Sequence, residues 1–131
     1  MALPNGAGGY QLGDGNLNEV VLGTQSAPVA KTAAATLTAA ELANGIITYN
    51  GAAVALTMPL GTDLDAAFAS MRVNSAFDFS VINTGATNAT TVTANTGVTL
   101  VGAAAVAAAT SCAWRVRRTD VATYVAYRIA G

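Results

Sequence analysis

Hydrophobic and polar residues alternate most regularly near the end of the chain. Between Ser111 and Thr119, Cys112, Trp114 and Val116 fall on one face of an extended strand, with Ala113, Arg115 and Arg117 on the other. Successive strand side chains point to opposite faces, so the pattern reads as a half-buried strand. Beyond a turn at Asp120, Val125, Tyr127 and Ile129 form an apolar face opposite Tyr124, Ala126 and Arg128. The two segments predict a hairpin that packs one side on a core and offers arginines and a tyrosine on the other.

Upstream, runs of Thr, Val and Ala are punctuated by Asn, Gly and Pro. They predict strands near Ala34–Leu37, Gly45–Tyr49, Ala53–Met58, Ala76–Asn83, Thr90–Ala94 and Val98–Val101. Two stretches carry helix signals instead. Thr38-Ala-Ala-Glu41 is a capping-box pattern, closed by Asn44-Gly45. Thr62-Asp63-Leu64-Asp65 opens a second short helix to about Met71, with its acids at the positive end of the dipole. Some eight short strands, spaced roughly 8–12 residues apart, predict an all-β sandwich or barrel with one or two short helices.

Residues 1–30 differ in texture. They hold six glycines and two prolines, with Leu3, Tyr10, Leu12, Leu17, Val20, Val21 and Leu22 scattered among them. Glycine at this density leaves a backbone too free to order without a partner. Residues 1–30 therefore read as an extended arm that docks on a neighbour through its apolar residues, and residues 31–131 as one β domain. The start, MALPNGAGGYQLGDG, has neither the basic residues nor the apolar run of a secretory signal.

Charge changes the picture. Six Lys or Arg face seven Asp or Glu, and charged residues are only 10% of the 131-residue chain. The surface of a small soluble domain is ordinarily about a quarter to a third charged. Much of this surface is therefore expected to be covered, by lipid or by other protein. No charge occurs from Phe79 to Trp114, and Gly97–Trp114 approaches the length of a membrane span. That run is mostly Ala and Gly, which is too weakly hydrophobic to seek lipid. Assembly with protein is the expectation, without a membrane. The near-neutral balance also argues against a nucleic-acid partner.

Candidate chemistry is sparse. With no histidine, imidazole-based triads and metalloprotease motifs are excluded. Gly6-Ala-Gly8-Gly9 lacks the strand and helix a dinucleotide fingerprint needs. Asp14-Gly-Asn16-Leu-Asn18 begins like a calcium loop, but Glu19 and Gln25 stand where glycine and glutamate are required. Asp63 and Asp65, two apart on a helix, do not share a face. Asp78 reads as an ion-pair partner for Arg115 or Arg117. Cys112, the sole cysteine, reads as a small buried hydrophobe. No catalytic, cofactor or metal residues are assigned, and no enzyme activity is expected. Arg115, Arg117, Arg118 and Arg128 admit three roles: an outward face ion-paired across strands, an interface with an acidic partner, or nucleic-acid contact.

Five stretches carry a family likeness: LTAAELANGIIT from Leu37, LTMPLGTDLD from Leu56, FDFSVIN from Phe77, TGVTLVG from Thr96 and WRVRRT from Trp114. With Tyr127-Arg-Ile129, these resemble small capsid decoration (cement) proteins of tailed bacteriophages, across most of residues 31–131. The resemblance implies a jelly-roll-like β domain, often trimeric, on the outer face of an icosahedral head, where it bridges major capsid proteins. The expected protein is thus a virion component made in the host cytoplasm, its partners being the major capsid protein and its own copies. Leu3, Tyr10, Leu12, Leu17, Arg115, Arg117, Arg118 and Arg128 are its interface candidates. The competing reading is a fibre-tip or carbohydrate- or receptor-binding β module, which needs clustered exposed aromatics.

Overall fold

The computed structural model describes residues 22–131. The arm anchors Leu3, Tyr10, Leu12 and Leu17, the Gly6–Gly9 run and the Asp14–Asn18 motif lie outside them. In chain order the elements are β1 (Val29–Lys31), β2 (Ala35–Thr36), α1 (Ala39–Asn44), β3 (Ile46–Tyr49), β4 (Ala55–Thr57) and α2 (Gly61–Ala67). There follow β5 (Ala76–Asn83), β6 (Thr90–Thr93), β7 (Val98–Val101), β8 (Ala105–Val106), β9 (Ser111–Asp120) and β10 (Thr123–Ala130). Two of these, β1 and β8, are absent from the sequence expectation, and β1 begins inside the segment read as arm.

The jelly roll is not what forms. The strands make a six-stranded sheet, ordered β1-β3-β5-β9-β10-β7, and a four-stranded sheet, ordered β2-β4-β6-β8. Both are mixed. Strands β1, β3 and β5 run parallel in the large sheet, as do β2, β4 and β6 in the small one. β7 is parallel to β10, while β9 is antiparallel to β5 and β10, and β8 to β6. Parallel neighbours cannot be joined by a tight turn and need a crossover. Along β1-β3-β5 each crossover is a strand of the other sheet followed by a helix: β2 and α1 lie between β1 and β3, and β4 and α2 between β3 and β5. The chain thus repeats a β–β–α unit, and successive units stack strand on strand. Strand spacing alone cannot distinguish this winding from antiparallel neighbours, which is why it pointed to an all-β sandwich or barrel, and the jelly roll that the family resemblance implies is overturned with it.

Local signals explain the helices. The Thr38 hydroxyl accepts from the Glu41 amide and the Glu41 carboxylate from the Thr38 amide, closing the capping box. Gly45, at φ +91°, ends α1 in the left-handed conformation that glycine adopts without strain. α2 starts at Gly61 rather than Thr62 and stops at Ala67, before the expected Met71.

The core lies between the sheets. Trp114, Tyr49, Tyr124, Phe79, Leu42 and Leu56 are its largest members, all with less than 2% of their surface exposed. Trp114 stacks on Phe79 with centroids 5.4 Å apart and planes 11° from parallel. Cys112, Trp114 and Val116 share the buried face of β9 as the alternation predicts, and Cys112 is a buried free thiol.

On β10 the faces are reversed from the apolar pattern. Tyr124 and Ala126 point into the core, while Val125, Tyr127 and Ile129 share the outer face with Arg115 and Arg117. The physical reason is pairing. Ala126 sits beside Val116, and a bulge between Thr123 and Tyr124 sets the phase that brings the Tyr124 hydroxyl to Asp65.

Candidate functional site

The hairpin distributes the four arginines over different surfaces. Arg115 and Arg117 lie on the outer face of the large sheet. Arg115 makes a bidentate pair with Asp78, directly across the strand pair, at 2.8 and 3.0 Å. This bond holds the Asp78 carboxyl below its ordinary range and raises the Arg115 guanidinium. Arg117 donates to the Tyr127 hydroxyl at 2.7 Å and to Asn74 at 2.8 Å.

Arg118 and Arg128 project instead from the core-facing side, at opposite ends of the hairpin. Arg128 lies over the Trp114 ring at 5.8 Å and donates to the carbonyls of Ala103 and Ala105 at 2.7 Å. It ties β10 to the strand β8 of the other sheet. Arg118 donates to both oxygens of Asp65, at 3.1 and 3.2 Å, and to the Met71 carbonyl at 3.0 Å. The sequence reading grouped the four; the fold does not bring them together.

Asp65 is the hub that sequence reasoning missed. Besides Arg118, its carboxylate accepts from the Tyr124 hydroxyl at 2.6 Å and the Ala122 amide at 2.7 Å. The Tyr124 bond, followed by that of Arg118, lowers the Asp65 pKa below the ordinary carboxylate value. Burial, reinforced by Asp65, pushes the Tyr124 phenol up to about 12. The hairpin tip also needs its glycines: a Cβ at Gly61 or Gly97 would stand 2.0 or 2.4 Å from the Ala122 carbonyl oxygen. Asp65 therefore holds the β9–β10 tip against the start of α2. Its partners lie 53 to 59 residues downstream, beyond any local pattern. Only Asp63 keeps the helix-dipole role that the sequence suggests for both acids.

The outer face of the large sheet gathers exposed apolar side chains from several strands. Among the described residues no element packs over it. Of the seven exposed large hydrophobic residues among those described, three are here: Ile82 on β5, Val101 on β7 and Ile129 on β10, at 36%, 51% and 54% exposure. Ile46, Ala113, Val125 and Tyr127 add half-buried apolar surface between them. The charged side chains of the face already have partners within it or at its edge. Among the described residues the face is largely apolar, with one internal ion pair, Asp78–Arg115, and one cation, Arg117, held by neutral partners.

Among the described residues, no three of His, Cys, Asp and Glu come together as a metal site. No described helix is long and apolar enough to cross a membrane, and the uncharged Gly97–Trp114 stretch is divided among β7, β8 and β9. No family model, curated protein or solved structure matches the chain.

Proposed function

We propose that this chain is a structural protein that coats an assembled protein shell, an icosahedral phage head, and reinforces it by bridging major capsid subunits and neighbouring copies of itself. The observation that carries this reading is the open outer face of the six-stranded sheet. Exposed apolar patches of this breadth mark association surfaces on soluble proteins. Covering the face leaves the Asp78–Arg115 pair intact, and Arg117, held only by the neutral Tyr127 hydroxyl and Asn74 amide, is the cation that an acidic partner group would meet. The likeness of the five sequence stretches to cement proteins supplies the choice of partner. A ligand that binds only the assembled shell stabilises it by mass action, and many modest contacts together give avidity.

The carbohydrate- or receptor-binding alternative loses support from burial. Trp114, Tyr49 and Tyr124 are fully enclosed, so they cannot stack on a sugar. Heating heads prepared with and without the chain tests the proposal. Shells that carry it should release their contents at a higher temperature; equal rupture temperatures would contradict reinforcement.

A further inference from the structure

Three exposed large hydrophobic residues gather at one end of the domain, away from the outer sheet face: Leu60, Val73 and Val121, at 37%, 55% and 71% exposure. Val121 is the apex of the β9–β10 hairpin. Val73 belongs to the 68–75 loop, which is tied to β9 by the Asn74 amide on the Arg118 carbonyl and the Arg118 amide on the Ser75 carbonyl. Leu60 precedes α2, whose first residue, Gly61, leaves no room for a Cβ beside the Ala122 carbonyl.

Beside them opens a groove of about 570 Å³, between the ends of α1 and α2, the 68–75 loop and the start of β5. Phe68, Met71 and Phe77 line it, and the two phenylalanine rings form a tilted pair with centroids 5.2 Å apart. Ala76, another lining residue, stands across from Arg117 on β9. Asp120 is three residues further along that strand, so the hairpin tip and the groove are about 10 Å apart along it.

The tip is a rigid knob. The Ala122 amide is fixed on Asp65 at 2.7 Å, the Val121 amide on Asp120 at 2.7 Å and the Thr123 hydroxyl on the Val121 carbonyl at 2.9 Å. Ala122 sits at φ +52°, a strained conformation for a residue with a side chain, kept where its surroundings impose it. All this order presents a valine to solvent. A preorganised apolar side chain gives up little entropy on entering a pocket.

The charges are complementary as well. Asp120, next to Val121, and Arg72, next to Val73, are both exposed. Among the described residues neither has an ion-pair partner, and within one copy they do not pair with each other. Knob, groove and both charges share one end of the molecule, so a two-fold axis there lets each copy give one knob and receive one.

We infer that this end of the domain binds a second copy of the chain. Each Val121 enters the groove over Phe68, Met71 and Phe77 of the other copy, and each Asp120 faces Arg72 of the other. Leu60 and Val73 are covered in the same contact. The surface is distinct from the outer sheet face, and the inference concerns free protein in solution, so it does not rest on the shell reading.

Sedimentation equilibrium of the full chain at rising concentration tests it, and a monomer–dimer equilibrium is expected. Val121→Asp, at an exposed tip away from the core, places an unpaired carboxylate in both grooves. At about tenfold per contact, the dimer dissociation constant should rise about a hundredfold. Ile82→Asp with Ile129→Asp, on the outer face, should leave it unchanged. A monomer at every concentration, an oligomer that Val121→Asp leaves intact, or one that the outer-face changes abolish would each overturn the inference. Charge reversal guards against a variant that folds poorly. Arg72→Glu should weaken the dimer and added Asp120→Arg should restore it; a double variant no tighter than Arg72→Glu alone overturns the pairing. Heads can bind or reject the protein whatever the outcome.

Discussion

Phe79 and Ile82 lie three residues apart on β5 and face opposite sides of the large sheet, one into the core and the other outward. Phe79 is 1% exposed and stacks on Trp114. Replacing it with alanine removes its buried contacts and leaves a cavity, at a cost of about 3–5 kcal/mol. About 0.5–1.5 kcal/mol of that belongs to the aromatic pair. Ile82, 36% exposed, should lose less than about 1 kcal/mol on the same change in the free protein. With a urea slope of about 2 kcal/mol per molar, Phe79→Ala should lower the unfolding midpoint by roughly 2 M and Ile82→Ala by less than about 0.5 M. Trp114 is the only tryptophan and sits against the altered site, so its fluorescence follows both transitions. Equal losses for the two variants in dilute protein would refute the assignment of inner and outer faces.

Thr38→Ala should cost about 1 kcal/mol by opening the α1 capping box, and Thr38→Ser should retain most of it; thermal melts decide. Asp65 has a depressed pKa, so its contribution is present above the ordinary carboxylate value and is lost as pH falls through its folded value. Asp65→Asn should therefore be less stable than the parent at neutral pH, and the two stability curves should converge in acid. Parallel curves would exclude Asp65 as an acid-sensitive hub. Glu41 and Asp78 are also depressed and add to the acid limb of both proteins; for Glu41, burial pulls upward but the bonds to Lys31 and Thr38 outweigh it. Tyr124, raised to about 12, contributes stability that is full below the ordinary phenol value and fades as pH rises through the folded one. Absorbance at alkaline pH should show a phenol titrating near 12 that is lost in Tyr124→Phe.

Local chemistry was legible in the chain; the pairing of its strands was not. The capping box at Thr38, the glycine stop at Gly45, the buried face of β9 and the Asp78–Arg115 partnership each depend on side chains adjacent on a strand, helix turn or neighbouring strand. The β10 faces were misjudged because Val125, Tyr127 and Ile129 outweigh Tyr124 and Ala126 in apolar content. What decides their direction is a bulge and a hydrogen bond to Asp65, far away in sequence. The parallel winding escaped notice for a similar reason. Its repeat unit contains strands of both sheets, and β1 and β8 are too short, at three and two residues, to announce themselves. The arginines could be found as a group in sequence, but alternation alone already separates Arg117 from Arg118.

The outer sheet face is the surface on which the functional account stands, and a binding titration on purified heads prepared without the chain tests it most directly. Ile82→Asp combined with Ile129→Asp places two unpaired carboxylates on that face while leaving the core untouched. The account predicts that the variant keeps the circular dichroism and melting profile of the parent yet no longer sediments with heads. A folded variant that coats heads as well as the parent would contradict it.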